Sequence, residues 1–309
     1  MMITPATDEA VYGASRIKRV RRTKVELEEF RAQIYRLAEE NKPCSCRQIY
    51  YLGIGTLWDK DTGGSRRNYN KVVYELGVMR EAGDLPWGWI TDATRYRRMP
   101  TMYNSWEEAA QRTAEHYRRD LWAMQPRHVE VWAESDSISG VIDPVTRSLG
   151  VGLFSCRGQA SKTFVWSTTQ EYRATGKPVT VLYVGDWDPS GLSISRSLHD
   201  RLREYSERWP ITFSRVALTA ADIGRGDLTS HAVNRQDKNY RRYADQCQGF
   251  GLDPDVATEV EALPPPVLRA RLEERLYDLV DDVDQWNATL AAEESEKQGL
   301  FDRLMGGAP

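Results

Sequence analysis

From residue 128 onward, short apolar runs alternate with segments of helical period, and this alternation constrains the fold more than any other feature of the chain. Val129 to Ala133, Val151 to Phe154, Val179 to Val184 and Ile211 to Leu218 are the apolar runs. Helical patterns lie between them, one to about Leu149, one from about Ser161 to Thr175, and one from Ser193 to about Arg208. Strands that alternate with helices at this spacing pair in parallel, because each crossover helix returns the chain to run in the same direction. The expected fold class is therefore α/β, with a parallel sheet over 128–256 and a helical, acidic extension over 257–309 punctuated by Pro264-Pro265-Pro266.

The residues ahead of the sheet have a different texture. Residues 1–23 hold few apolar side chains and include Arg16, Lys18, Arg19, Arg21 and Arg22, which predicts a basic flexible arm, either phosphate-binding or simply solvated. Thr23 is a candidate cap for a helix carrying Leu27, Phe30, Ile34 and Leu37 and closed by Pro43. Ser45 is a candidate cap for a second, with Ile49 and Leu52 turned inward. A third starts near Asn68, carries Val72, Val73, Leu76 and Met79, and ends at Gly83. Leu85-Pro86-Trp87-Gly88-Trp89-Ile90 then predicts a short hairpin-like piece. Three helices and a small β-wing over 24–104 match a winged-helix variant of the helix-turn-helix, with a helical bundle and surface loop as the alternative. As a winged helix, the unit offers Arg66, Arg67, Lys71 and Arg80 to DNA phosphates. Residues 105–127, with Trp106, Ala109, Ala110, Tyr117 and Leu121, predict a linker helix ending near Pro126.

Composition narrows the classes. A chain of 309 residues, 40% hydrophobic and 28% charged, has room for two domains and is not of disordered type. No apolar run reaches the ~18 residues a membrane helix needs, and no signal-like start is present. Four scattered cysteines are no disulfide framework. The expectation is a cytoplasmic, nucleoid-associated protein without membrane contact. The net charge of −3 hides an asymmetry: residues 1–127 carry 22 Lys and Arg against 17 Asp and Glu, and the remainder 20 against 28. A basic front and an acidic rear fit a DNA-gripping module joined to a carboxylate-rich catalytic one; chance segregation of surface charge is the alternative.

Asp186-x-Asp188 closes the third apolar run, where side chains at i and i+2 share a side. Ligands of open α/β sheets bind beyond the strand carboxyl ends, and Glu134 closes a strand that can lie alongside. Three carboxylates form an oxygen-only site suited to Mg²⁺, with Mn²⁺ able to substitute. Alternatively, Asp186 and Asp188 only cap the helix that Pro189-Ser190-Gly191 opens. A second signal is Arg47-Gln48-Ile49-Tyr50-Tyr51. A nucleophilic tyrosine, with an ordinary pKa near 10, needs positive charge nearby, and Arg47 and Tyr51 are four apart on one helical face. Tyr50 is the candidate for ordinary packing. The four histidines and Cys44-x-Cys46 show no zinc spacing, and no phosphate-loop motif is present.

A glutamate at one strand end with Asp-x-Asp-x-x-Gly at another resembles the Toprim domain of topoisomerases, primases and certain nucleases, where these acids hold Mg²⁺ for phosphodiester chemistry. The resemblance covers about residues 128–220, and Ser135 stands where many topoisomerase versions carry lysine. A winged-helix-like module bearing Arg-x-x-Tyr-Tyr ahead of a Toprim-like module is similar to the A subunit of topoisomerase VI and to its relative, the meiotic double-strand-break protein. That likeness spans about residues 30–220, in a minimal or phage-borne version. It implies that Tyr51 is the nucleophile, that Arg47 is the family arginine, and that Glu134, Asp186 and Asp188 are the metal-binding acids. The implied reaction is transesterification: Tyr51 attacks a backbone phosphate, leaving a 5′-phosphotyrosine and a 3′-hydroxyl, with Glu134 also moving a proton at the 3′ oxygen. The implied assembly is a homodimer on double-stranded DNA, each tyrosine meeting its partner's metal site, with a separate B-type ATPase subunit for any strand passage. Two other readings stay open: a Toprim-type endonuclease, phage or defence related, that uses metal-activated water, and a non-catalytic DNA-binding protein on a relic Toprim fold.

Overall fold

Thr23 and Glu26 begin the first helix with reciprocal hydrogen bonds, each side chain accepting from the other's main-chain N–H at 3.2 and 2.7 Å. Such a pair satisfies donors that a helix start otherwise leaves open. The computed structural model describes residues 23–62, 65–92, 100–158 and 160–305, so the rest of the predicted basic arm lies outside the described residues. Helix α1 (Lys24–Asn41) buries Phe30, Ile34 and Ala38 at successive intervals of four. Strand β1 (Cys44–Ser45) follows, and Ser45 with Gln48 forms a second capping box that opens α2 (Cys46–Leu52). Helix α3 (Arg67–Ala82) is closed by Gly83 at φ +82°, a left-handed conformation that glycine adopts without a Cβ penalty. Its start is held by Asp61, whose two carboxylate oxygens accept from the N–H groups of Asn68 and Tyr69, both at 2.9 Å.

The hairpin expected at 85–90 does not form. Trp87–Trp89 closes as a 3₁₀ turn behind Pro86, and strand β2 (Ile90–Thr91) pairs in parallel with β1, Cys44 opposite Ile90. A partner lies ready in the strand ahead of α2, so the segment has no need to fold back on itself; residues 93–99 lie outside the described residues. The linker helix is also shorter than predicted. Helix α4 (Trp106–His116) ends where Tyr117 turns out of helical geometry, and Trp106 is 53% exposed. The following Tyr117, Arg118 and Arg119 are drawn away to glutamates near the C-terminus.

The rear of the chain is the expected alternation: β3 (His128–Ala133), α5 (Asp136–Ser148), β4 (Gly152–Ser155), α6 (Lys162–Thr175), β5 (Val179–Val184), α7 (Pro189–Tyr205) and β6 (Ile211–Ala217). The four strands form one parallel sheet in the order β4-β3-β5-β6. All six residues of β5 are buried, as a central strand covered on both faces requires. The period of two sorts the side chains: Val131, Leu182 and Val184 join Ile138 and Ile142 of α5 in one core, while Trp132, Val181 and Tyr183 join Tyr172 of α6 and Leu198 of α7 in the other.

Helix α8 (Ala220–Arg225), strand β7 (His231–Ala232), helix α9 (Tyr240–Gly249) and strand β8 (Val256–Ala257) come next, with β7 and β8 antiparallel. A 3₁₀ turn at Val260–Ala262 leads into α10 (Pro265–Tyr277), whose Leu268, Leu272 and Leu276 enter the first core of the sheet. Helix α11 (Val283–Met305) packs against α4. The front helices are fastened to the rear by Arg269 of α10, which donates to the carbonyls of Lys42 and Pro43, and by a 2.9 Å hydrogen bond between the hydroxyls of Ser137 and Ser45. No helix among the described residues is long and apolar enough to cross a membrane.

Candidate active site

Two glycines shape the strand ends. A Cβ at Gly185 would lie 2.4 Å from Glu134 Oε2 and 2.7 Å from the Tyr183 ring, so glycine clears the seat that the Glu134 carboxylate occupies just past β3. There Glu134 accepts from Asp186 N at 3.0 Å and from the Tyr183 hydroxyl at 3.2 Å. A Cβ at Gly191 would lie 2.6 Å from the Asp186 carbonyl oxygen, so the Asp-x-Asp-x-x-Gly spacing lets α7 start against the loop that carries both aspartates. Asp188 caps that helix, accepting from Gly191 N at 2.6 Å, which is why α7 opens at Pro189 and not near Ser193. Asp186 faces the other way: Trp187 exchanges main-chain hydrogen bonds with Thr258, and Asp186 Oδ1 accepts from Val260 N at 2.8 Å. Arg215 of β6 fastens this turn from behind, donating to the carbonyls of Gly185, Asp186 and Gly191 and to the Ser195 hydroxyl.

The tyrosine pair divides its work. Tyr50 is packed edge-on against Tyr51 and Tyr69, and its hydroxyl accepts from Asp61 N at 2.7 Å. Beyond burial, the Glu259 carboxylate acts on Tyr51 and helps to raise its phenol above the ordinary value. Arg47, one helical turn before it, lies 5.6 Å from the Tyr51 ring, pairs with Glu259, and reaches Glu261 Oε1 from Nε at 3.1 Å. Lys60 stands 5.1 Å over the same ring and 3.6 Å from Glu259. Tyr51 thus meets acids of its own chain, where the family resemblance implies those of a partner.

The electrostatics are those of a carboxylate cluster short of counter-charge. Burial first, then Glu261 and Glu134, pushes Asp186 well above the usual carboxylate range, and burial also raises Glu134, Asp188 and Glu261. Burial pushes Glu259 up as well, but Arg47, Tyr51 and Lys60 together pull it below its ordinary value. Tyr51 is raised by burial and then by Glu259, with Arg47 opposing. His231 of β7 is pushed down by burial and by Lys60, against Glu259 and Asp188.

Two cavities meet here. A cleft of about 830 Å³ is lined by Glu134, Asp186, Glu261, Arg80 and Arg157, and a smaller one of about 250 Å³ by Tyr51, Lys60 and Arg66. Arg47 lines both. Of the residues singled out from sequence, Glu134, Asp186, Arg47 and Tyr51 therefore come together. Arg66 joins the tyrosine cavity and Arg80 the cleft. Asp188 stays at its cap, Arg67 is exposed at the start of α3, and Lys71 lies over the Phe30 ring at 5.0 Å, against α1. Lys60, Glu259 and Glu261 are new members. The one sequence signal for the two glutamates is Glu259-x-Glu261, which repeats the i, i+2 spacing of the aspartates.

No protein-family model matches this chain, and no curated protein matches it. The site is judged on its own chemistry. Glu134, Asp186 and Asp188 each commit one oxygen to a main-chain N–H, and the second oxygen of each has no hydrogen bond among the described residues. Among those residues, no group of three or more His, Cys, Asp and Glu side chains is placed to hold a metal ion. The donor set is oxygen-only and carries excess negative charge, which suits a hard divalent cation.

Proposed function

We propose that this chain cleaves duplex DNA by transesterification at Tyr51, as an enzyme of the topoisomerase VI A type. On this reading the front helices are a winged-helix module and the parallel sheet is a Toprim domain. The observation that supports it is that Arg47 lines both cavities, the smaller together with Tyr51 and the larger together with Glu134 and Asp186. A phosphodiester laid across Arg47 meets a nucleophile and an acid cluster at once, and holding both in one geometry is the main contribution a protein makes to phosphoryl transfer.

Tyr51 Oη forms the new bond to phosphorus, the bond to the 3′ oxygen breaks, and the phenol proton is released. Arg47 offsets the charge on the phosphate oxygens, and Glu134, whose carboxyl is raised by burial, returns a proton to the 3′ oxygen. A divalent cation, Mg²⁺ or Mn²⁺, that drew the second oxygens of Glu134, Asp186 and Asp188 together would add positive charge at the same phosphate. Two copies of the chain, as a homodimer, cut the two strands, and strand passage requires a separate ATPase subunit. Arg66 and Arg80, one at each cavity, are the strongest candidates for DNA-backbone contact.

A hydrolytic endonuclease is the second reading, favoured by one observation: Tyr51 is only 6% exposed. End-labelled DNA incubated with divalent cation and resolved on a denaturing gel separates the two. Transesterification gives a covalent protein–DNA adduct that Tyr51→Phe and Asp186→Ala both abolish. Hydrolysis gives free cut ends, lost in Asp186→Ala and kept in Tyr51→Phe.

A further inference from the structure

Glu259 is the acceptor on which the donors around Tyr51 converge. The Arg47 guanidinium pairs with one carboxylate oxygen, the Lys60 ammonium stands 3.6 Å from the other, and both cations lie over the Tyr51 ring, at 5.6 and 5.1 Å. A single carboxylate thus collects a guanidinium and an ammonium beside a phenol. A phosphodiester carries the same unit charge on two non-bridging oxygens, and guanidinium and ammonium groups are the usual ligands of phosphate. The adjoining cavity of about 250 Å³ gives such a group a way in, past Arg66. Asp61, which also lines it, does not compete, since both its oxygens are bound to N–H groups at the start of α3.

The geometry points to a phosphate receptor built from Arg47, Lys60 and Tyr51 and held closed by Glu259, an internal stand-in for the phosphate. The inference rests on reading Tyr51 as the nucleophile and deepens it: Lys60 becomes a phosphate-binding residue and Glu259 a competitor of the substrate. The Glu259 main chain is fixed on both sides, by Thr258 on Trp187 and by Val260 on Asp186, so a side-chain rotation opens the receptor and leaves the acid cleft in place. A phosphate that displaces Glu259 removes the anion beside the Tyr51 hydroxyl and leaves Arg47 and Lys60 there. Substrate binding and release of the phenol proton are thereby coupled.

The test is binding of the full-length chain to a short fluorescent duplex in EDTA, read by anisotropy. Glu259→Gln keeps the size of the side chain and removes the competing charge, and it is expected to tighten binding roughly tenfold. Glu296→Gln, which removes one negative charge far along the chain, is expected to give a clearly smaller gain. Lys60→Met weakens binding, Lys60→Arg restores it, and in Glu259→Gln/Lys60→Met the gain is lost. The receptor is overturned if Glu259→Gln binds no tighter than Glu296→Gln, if its gain survives removal of Lys60, or if it slows adduct formation at unchanged affinity, which would make Glu259 a proton acceptor. Should Glu259→Gln lose the wild-type circular dichroism spectrum, the Lys60 pair decides: equal affinities for Met and Arg at that position overturn the receptor, and a loss restored by Arg supports it. An adduct assay in Mg²⁺ keeps the two readings apart. A binding series as expected with no Tyr51-dependent adduct removes the nucleophile and leaves the receptor. An adduct with a flat binding series does the reverse.

Discussion

The protein twice sets a tyrosine beside an arginine–glutamate pair, and the two places differ in what surrounds them. At the rear, Tyr117 donates to Glu296 at 2.6 Å while Arg119 binds that carboxylate through two nitrogens at 2.7 and 2.6 Å. The neighbouring Glu293 has its own cations, Arg118 and Lys297. Each acid there has a matching base, and Glu296 is 41% exposed, so water screens what remains. At the front, one arginine serves both Glu259 and Glu261, Lys60 alone assists it among the described residues, and Asp186 and Glu134 add their carboxylates to the cluster. The rear cluster ties α11 to the segment after α4. The front cluster has surplus negative charge on one side of Arg47 and a cation-lined cavity on the other. What separates a clasp from a candidate site is this imbalance and not the motif itself.

The comparison breaks most sharply at the two phenols. Tyr51→Phe is expected to abolish the covalent adduct on a denaturing gel, and Tyr117→Phe to leave its yield unchanged, although each deletes one hydroxyl from an equivalent triad. Equal behaviour of the two variants would remove the distinction altogether. The acids give the next contrast, and here the sign of the stability change is informative. A carboxyl whose pKa is raised on folding makes its ionised form costly, so that stability is lower above the folded pKa. Asp186→Asn keeps an acceptor for Val260 N and removes that charge. It is expected to abolish cleavage and to raise the melting temperature at neutral pH in EDTA by roughly 2–4 °C, the shift about 1 kcal/mol produces in a chain of this size class. A lower melting temperature would mean that the Asp186 charge is satisfied in the fold and that the acid cluster is a structural element like the rear one.

A smaller effect on cleavage is expected at Gly191. Alanine there places a Cβ 2.6 Å from the Asp186 carbonyl oxygen, a main-chain atom that cannot step aside without moving the loop. A loss of about 1–3 kcal/mol in urea titration is expected, as for overpacking elsewhere, together with a fall in cleavage larger than the stability loss explains. A neutral Gly191→Ala would show that α7 can retreat from the loop.

The parts of this arrangement that were readable in the sequence are those set by local pattern. A fully buried parallel strand is a continuous apolar run, and Val179–Val184 is seen as such in both. Thr23, Ser45 and Gly83 mark helix ends because capping is decided within a few residues. Helix α7 starts at Pro189 and not near Ser193 because Asp188, at the end of the third apolar run, is also its cap. The hairpin and the long linker helix failed for a common reason. Each was read from its own residues, and each was decided by a distant partner, β1 for the first and Glu293 with Glu296 for the second. The site divides in the same way. Arg47 with Tyr51, and Asp186 with Gly191, follow from spacing along one element. The Arg47–Glu259 pair spans 212 residues, and its acid follows a two-residue strand too short to announce itself.

The mildest effect concerns the rear clasp and runs opposite in sign to that of Asp186. Burial acts to raise the Glu293 carboxyl, but Arg118, the N–H of Arg119 and Lys297 together bring it from 4.5 down to about 2. A carboxyl depressed on folding contributes stability that is complete above its unfolded pKa and disappears as pH falls through the folded one. The window here runs from about 4.5 to about 2. Glu293→Gln is therefore expected to melt a few degrees below wild type near neutral pH, and the gap is expected to close progressively across that window. Cleavage by Glu293→Gln at a temperature where it remains folded should match wild type, because among the described residues no α11 side chain lines the Tyr51 cavity. A gap that persists at the acid end would mean that Glu293 holds α11 through packing and hydrogen bonds alone, and charge pairing would then cease to be what distinguishes the balanced cluster from the unbalanced one.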